Sequence, residues 1–241
     1  MKAKSYEYDS LNQLTQATYG GNIYTYTYDD RGNIQTVKKD GTTIKSYTYG
    51  DSNWKDLLTE YNGTAITYDQ IGNPNNWRNG MSFNWSYGRR LTGITKGTDS
   101  ISYTYDGDGL RTSKTVNGTT TEYVWLEGIL RGQKTGSEYI VFLYDENGTA
   151  YGMLVNNGTT TEYYYYLFNL QGDVVGIMDS TGAQVVSYAY SPWGELLSTT
   201  GTLADTIGQK NPLRYRGYYY DTDGHRGRFS VSPKGSVLST K

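Results

Sequence analysis

Tyrosine alternates with small polar residues and then gives way to a turn, over and over along this chain. In residues 24–34 the order is Tyr-Thr-Tyr-Thr-Tyr-Asp-Asp-Arg-Gly-Asn-Ile. A period of two puts Tyr24, Tyr26 and Tyr28 on one face of an extended strand and the threonines on the other. Asp29, Asp30, Gly32 and Asn33 are turn formers, and Ile34 opens a second strand. The predicted unit is therefore strand, turn, strand.

That unit repeats. Strand-closing tyrosines occur at Tyr8, Tyr28, Tyr49, Tyr68, Tyr87, Tyr105, Tyr123, Tyr144, Tyr166 and Tyr190, separated by 18–24 residues. Five are followed by aspartate: Asp9, Asp29, Asp69, Asp106 and Asp145. Midway between markers lies a second turn, at Asp40-Gly41, Asn62-Gly63, Asn117-Gly118 and Asn157-Gly158. Asn-Gly and Asp-Gly suit a type I′ hairpin, whose two central residues both need positive φ. Two strands and two turns per repeat predict an all-β fold, a repetitive antiparallel β-hairpin meander. About twenty strands exceed what an open twisted sheet holds flat, so the sheet should curl.

The inward face should carry Ile66 and Tyr68, then Phe83, Trp85 and Tyr87, then Ile101, Tyr103 and Tyr105. No helix is expected before Trp193 beyond a turn at 55–60, and residues 196–209 read as loose. Three regions result: a hairpin array over 1–162, a more aliphatic end segment over 163–229, and a short polar tail over 230–241. Atypical terminal repeats are the usual caps of such arrays.

Composition sharpens this. With 27 tyrosines, 30 glycines and only 4 prolines, tyrosine has to do much of the burying that aliphatic residues do elsewhere. Its abundance also argues against disorder. A net charge of −2 gives no electrostatic case for nucleic acid. No apolar run is long enough to span a bilayer, and Met1-Lys2-Ala3-Lys4 leads into no signal-peptide core.

Little in the chain points to catalysis. The sequence has no cysteine and a single histidine, His225, in a polar tail, so thiol or serine triads lack their parts. Asp106-Gly107-Asp108-Gly109 lacks the spacing and closing glutamate of an EF-hand loop. Aspartate at a turn start accepts backbone N–H bonds without any metal. Sequons at Asn62, Asn84, Asn117, Asn147 and Asn157 are mostly Asn-Gly-Thr, which hairpin chemistry explains. No catalytic, cofactor or metal residue is assigned, and no cofactor is expected. Trp54, Trp77, Trp85, Trp125 and Trp193 are the candidates for stacking on sugar rings, with strand-to-strand packing as the competing use.

The Tyr-Asp-x-x-Gly-Asn unit at a period near 20 resembles the YD repeat of Rhs proteins, wall-associated proteins, toxin-complex C subunits and teneurins. The stretches 170–179 (Leu-Gln-Gly-Asp-Val-Val-Gly-Ile-Met-Asp), 188–195 (Tyr-Ala-Tyr-Ser-Pro-Trp-Gly-Glu) and 211–221 (Asn-Pro-Leu-Arg-Tyr-Arg-Gly-Tyr-Tyr-Tyr-Asp) resemble the Rhs repeat-associated core. The resemblance implies a hollow shell of β-hairpins that encapsulates a C-terminal polymorphic toxin in bacterial competition. It also implies, in many members, an aspartyl self-cleavage site. Here Tyr220-Asp221-Thr222-Asp223-Gly224 passes to Gly227-Arg228-Phe229 with no Asp-Pro, so self-cleavage is not carried over. Asp221 and Asp223 are left as candidates for a vestigial role.

The expectation is thus a structural, non-enzymatic shell part without its toxin, 230–241 being too short for one. The alternatives are a cell-envelope glycan-binding module and a residual self-processing aspartyl peptidase. Expected partners are the remaining YD repeats or a toxin segment, copies of itself through sheet edges, and cell-surface glycans, but neither nucleic acid nor a membrane span. The implied location is secreted or cell-wall-associated.

Overall fold

In the computed structural model most hairpins are made by a carboxylate or its stand-in at one end and by glycine at the other. Residues 5–77 and 80–221 are described, together with the short strands Ser230–Val231 and Val237–Leu238. At the carboxylate end, Asp29 Oδ1 accepts from the backbone N–H groups of Arg31 (2.9 Å) and Asn33 (2.8 Å). Asp69 and Asp145 repeat the pattern, and Asn169 and Ser191 stand in for aspartate in later hairpins. These carboxylates are turn caps. At the other end Asp40-Gly41, Asn62-Gly63 and Asn117-Gly118 have positive φ at both residues, as a type I′ turn requires. Asp40, Asn62 and Asn117 also reach sideways: their side-chain oxygens accept from the N–H of Ile23, Ser46 and Ser100 in the preceding course. Asn157-Gly158 differs, sitting in a four-residue loop in which Asn157 keeps negative φ.

The strands run antiparallel in unbroken chain order, seven from Ser5–Tyr8 to Thr64–Ala65 and thirteen from Asn76–Trp77 to Leu196–Thr200. The chain divides into two compact units, Met1–Phe83 and Asn84–Lys241, the boundary falling within the strand Met81–Ser86. Register slips by one residue at the carboxylate end of hairpin after hairpin. Tyr28 pairs with Ile34 while Thr27 pairs with Thr36, and Tyr105, Tyr144, Phe168 and Tyr190 show the same bulge. A bulge bends its strand and deepens the twist, so each of these hairpins is bent at its carboxylate end. Next to one bulge Gly152 passes so close to its neighbour that a Cβ there would lie 2.5 Å from the Tyr164 carbonyl oxygen. Only glycine fits such an approach.

The marker tyrosine ties one course to the last. The Tyr28 hydroxyl donates to the Leu14 carbonyl (2.8 Å), Tyr49 to Ile34, Tyr105 to Leu91 (2.6 Å), Tyr144 to Leu130 (2.7 Å) and Tyr190 to Val174 (2.8 Å). In each case the acceptor lies at or next to the start of the neighbouring strand. Burial raises the pKa of Tyr28, Tyr105 and Tyr144, which keeps the donor proton in place. Tyr105→Phe is expected to cost about 1 kcal/mol, the usual net worth of one such bond, in chemical denaturation. A change below measurement error would show that the ring alone does the work.

Three expected details are corrected. Tyr87 is no inward marker: its strand, Met81–Ser86, ends before it, and Tyr87 occupies a turn with φ 49° and 88% exposure. Tyr123 and Tyr166 lie inside their strands, which close at Leu126 and Phe168. Trp125 takes the marker role beside Tyr123, its Nε1 donating to the Arg111 carbonyl at 2.7 Å. Residues 196–209 are not wholly loose, since Leu196–Thr200 pairs with the strand before it and Ile207–Lys210 is a short α-helix. Alternation alone locates a strand's face but not its last residue.

In the first unit the core holds Leu14, Ala17, Tyr26, Ile34 and Val37, with Tyr47, Tyr61 and Trp77 in ring contact. In the second it runs from Tyr123 to Tyr219 through Phe142, Met153, Ile177 and Val186.

Candidate functional site

The second unit folds its own late segment, 201–221, onto the tyrosine face of its sheet. Gly201 starts the turn toward it with φ 116°, where a Cβ would sit 2.3 Å from the Val185 carbonyl oxygen. Leu203 N–H donates to that same carbonyl at 3.0 Å, and the helix Ile207–Lys210 follows. Asn211 is fully buried: its Oδ1 accepts from the Tyr166 hydroxyl (3.0 Å), and its Nδ2 donates to the Leu213 carbonyl (2.7 Å). Tyr188 donates to the Gly208 carbonyl at 2.8 Å. Arg214, 1% exposed, spends its guanidinium on the carbonyls of Gly208, Gln209 and Asn211 and lies over the rings of Tyr188 and Tyr220. Carbonyl oxygens and ring faces replace the carboxylate partner that a buried arginine ordinarily requires.

The segment ends on a buried ion cluster. Asp221, with a fully buried side chain, accepts from Arg111 Nη1 at 2.8 Å and from Lys114 Nζ at 2.9 Å. Arg111 is boxed by the rings of Tyr103, Tyr123 and Tyr219 at 5.0–5.7 Å. The Tyr219 hydroxyl donates to Gln133 Oε1 at 2.7 Å. Burial alone would raise the Asp221 pKa, but the two cations outweigh it and hold the carboxyl below its ordinary range. Burial likewise pulls Arg111 down while Asp221 pushes it up, and the net shift is upward. Burial pushes Tyr219 well above the usual phenol range. Asp221 and Arg111 therefore stay charged, and the Tyr219 phenol stays a donor, near neutral pH.

Arg111 and Lys114 were missed from the sequence alone, though a signal was there. Leu14 and Ala17, Ile34 and Val37, and Leu91 and Ile94 are buried at the same three-residue spacing in other courses. Two cations in those apolar slots announce a buried partner, and Asp221 is that partner. Asp223 and His225 lie outside the described residues. Of the five tryptophans, Trp54 is half exposed, with its ring edge 3.2 Å from where a Cβ on Gly72 would lie. Trp77, Trp85, Trp125 and Trp193 are part-buried.

A hairpin array tied course to course by tyrosine hydroxyls, with a terminal segment docked on its tyrosine face, defines a β-shell protein of the YD-repeat class. The teneurin YD-shell family model matches residues 1–224, and the chain belongs to that family. It is 34% identical over 238 residues to the tRNA3(Ser)-specific nuclease WapA of Bacillus spizizenii, and 35% identical over 228 residues to the tRNA nuclease WapA of Bacillus subtilis. Each alignment covers 90% of this chain but 9% of the relative, so the chain spans about a tenth of those proteins. Among solved structures it resembles a Photorhabdus luminescens Tc holotoxin pore (TM-score 0.73, 19% identity, covering 96% of this chain and 14% of that one). It also resembles a TcdB2–TccC3–TEV crystal structure (TM-score 0.70, 19% identity, covering 98% of this chain and 14% of that one). At that identity these neighbours bear on the fold alone. Among the described residues no helix is long and apolar enough to cross a membrane.

Proposed function

We propose that this chain is a length of shell wall in a bacterial toxin-delivery protein, secreted or attached to the cell wall, and that it performs no chemistry itself. On this reading, the tyrosine face with its docked segment is the cargo side, and the Asp221 cluster anchors the end of that segment to the wall. Residues 1–162 serve as courses of wall and 163–229 as their end piece. Neighbouring YD courses and a toxin segment are its partners.

The observation that carries this reading is the buried cluster of Arg111, Lys114 and Asp221, which joins positions 107 and 110 residues apart. It invests three charges in anchoring a chain segment to the sheet. A carboxylate held between two cations is poorly suited to exchange protons, which argues against a self-processing aspartyl peptidase.

In the full-length gene product, a protease site inserted directly after residue 221 should be cut far more slowly than one inserted at the exposed turn of Asn117-Gly118. Equal cutting at both sites would sink the cargo-side assignment. Cleavage of tRNA by the isolated 241-residue chain would overturn the non-enzymatic reading. Glycan binding abolished by Trp54→Ala in a folded variant would instead favour the envelope-binding role.

A further inference from the structure

One course of the second unit lacks the hydroxyl of the tyrosine tie and also the bulky residue that carries its acceptor carbonyl elsewhere. Phe168 pairs with Val174 across a bulge just as Tyr28 pairs with Ile34, so it holds the marker position without the hydroxyl. The neighbouring strand begins at Ala150, where comparable strands carry Leu14, Ile34, Leu130 and Val174. A branched side chain and a phenolic oxygen are missing from the same place. A cavity of about 610 Å³ lies there, lined by Tyr144, Ala150, Tyr166, Phe168, Leu213 and Arg216 among others. That volume falls within the range of small-molecule sites, which typically combine apolar walls with a few placed polar groups.

The walls are held in place and the mouth is open. Tyr144 is tethered through its hydroxyl to Leu130, and Tyr166 to Asn211, while Tyr166 and Phe168 meet edge to face at 6.1 Å. At Gly148, Gly172 and Gly217, which also line the cavity, an added Cβ would meet nothing within 4 Å. Arg216 stands at the rim with its side chain half exposed. Its backbone N–H is pinned by Asp173 Oδ1 at 3.0 Å, and its Nε lies a longer 3.8 Å from that oxygen. Its guanidinium also lies over the Tyr215 ring at 5.6 Å; among the described residues the rest of its five-donor fork meets no second carboxylate and suits an anion in the cavity mouth.

We propose that this cavity binds a small aromatic carboxylate. The ring lies among Tyr144, Tyr166 and Phe168, and the carboxylate meets Arg216. A para-hydroxyl on the ring would supply to the Ala150 carbonyl the donor that tyrosines supply elsewhere and Phe168 cannot. The inference does not rest on the shell reading, because it concerns one defective course and not the array.

The test is titration of the whole chain with 3-(4-hydroxyphenyl)propionate, followed by calorimetry and ligand-observed NMR. Saturable 1:1 binding with Kd below about 1 mM is expected. Ala150→Leu restores the residue type of the other courses, so it should keep the fold and weaken binding by about tenfold or more. If that variant fails to fold, Phe168→Tyr provides the second block. Arg216→Gln should weaken the acid several-fold yet leave the matching alcohol, 3-(4-hydroxyphenyl)propanol, unchanged. Absence of saturable binding to the wild-type chain, or equal affinity in a folded Ala150→Leu or Phe168→Tyr protein, overturns the proposal.

Discussion

Asp221→Asn is expected to destabilise the second unit by about 3–5 kcal/mol, the cost of leaving buried charges without their partner. Arg111 and Lys114 would both remain under the docked segment, with only an amide oxygen between them. Urea denaturation should report the loss, and protease cutting within 201–221 should rise. Replacing all three members together, with Arg111→Met, Lys114→Leu and Asp221→Leu, should recover most of that stability, because exchanging a buried ion cluster for apolar packing is often neutral. If the triple variant is as unstable as the single one, shape and not charge holds the segment. The same carboxylate predicts acid sensitivity. Its folded pKa lies below the unfolded value of about 3.9, so its stabilisation is complete above that value and is lost as pH falls through the folded pKa. Wild-type stability should therefore fall below about pH 4 more steeply than that of the triple variant.

Arg214→Ala is expected to cost about 3 kcal/mol or more. It removes the donors for the Gly208, Gln209 and Asn211 carbonyls, and a buried group left unsatisfied costs about 1–3 kcal/mol. It also strips the cation from between the Tyr188 and Tyr220 rings. Arg214→Lys should recover only part of this, since an ammonium does not reproduce the planar fork. Hydrogen exchange at Leu203 and Asn211, whose amides donate to Val185 and Ile207, should accelerate in both variants. Unchanged protection there would show that the segment is held elsewhere.

How much of this was legible beforehand follows from the range over which each feature is determined. Hairpins, turn chemistry and the all-β meander depend on neighbours a few residues apart, and Asp29 or Asn117-Gly118 reveal them directly. Strand ends depend on bulges, which only pairing discloses, so Tyr87 read as a marker and Trp125 did not. The Arg111–Asp221 pairing spans 110 residues and leaves only an indirect trace, cations in apolar slots. Arg214 leaves no trace at all, because its partners are backbone carbonyls that every residue has.

The tyrosine ties have a consequence for the order in which the molecule assembles. Tyr105 reaches Leu91 and Tyr144 reaches Leu130, each 14 residues back, so a course that carries the tie can be stitched to its predecessor as soon as it exists. Such short loops close at little entropic cost and make for rapid, sequential zippering. The ion cluster is different: it has no binding place until the strands carrying Arg111 and Lys114 are set. Refolding should thus show two kinetic stages, a fast one tracking tyrosine burial and a slower one in which 201–221 settles. Asp221→Asn should remove stability gained in the second stage and leave the rate of the first untouched.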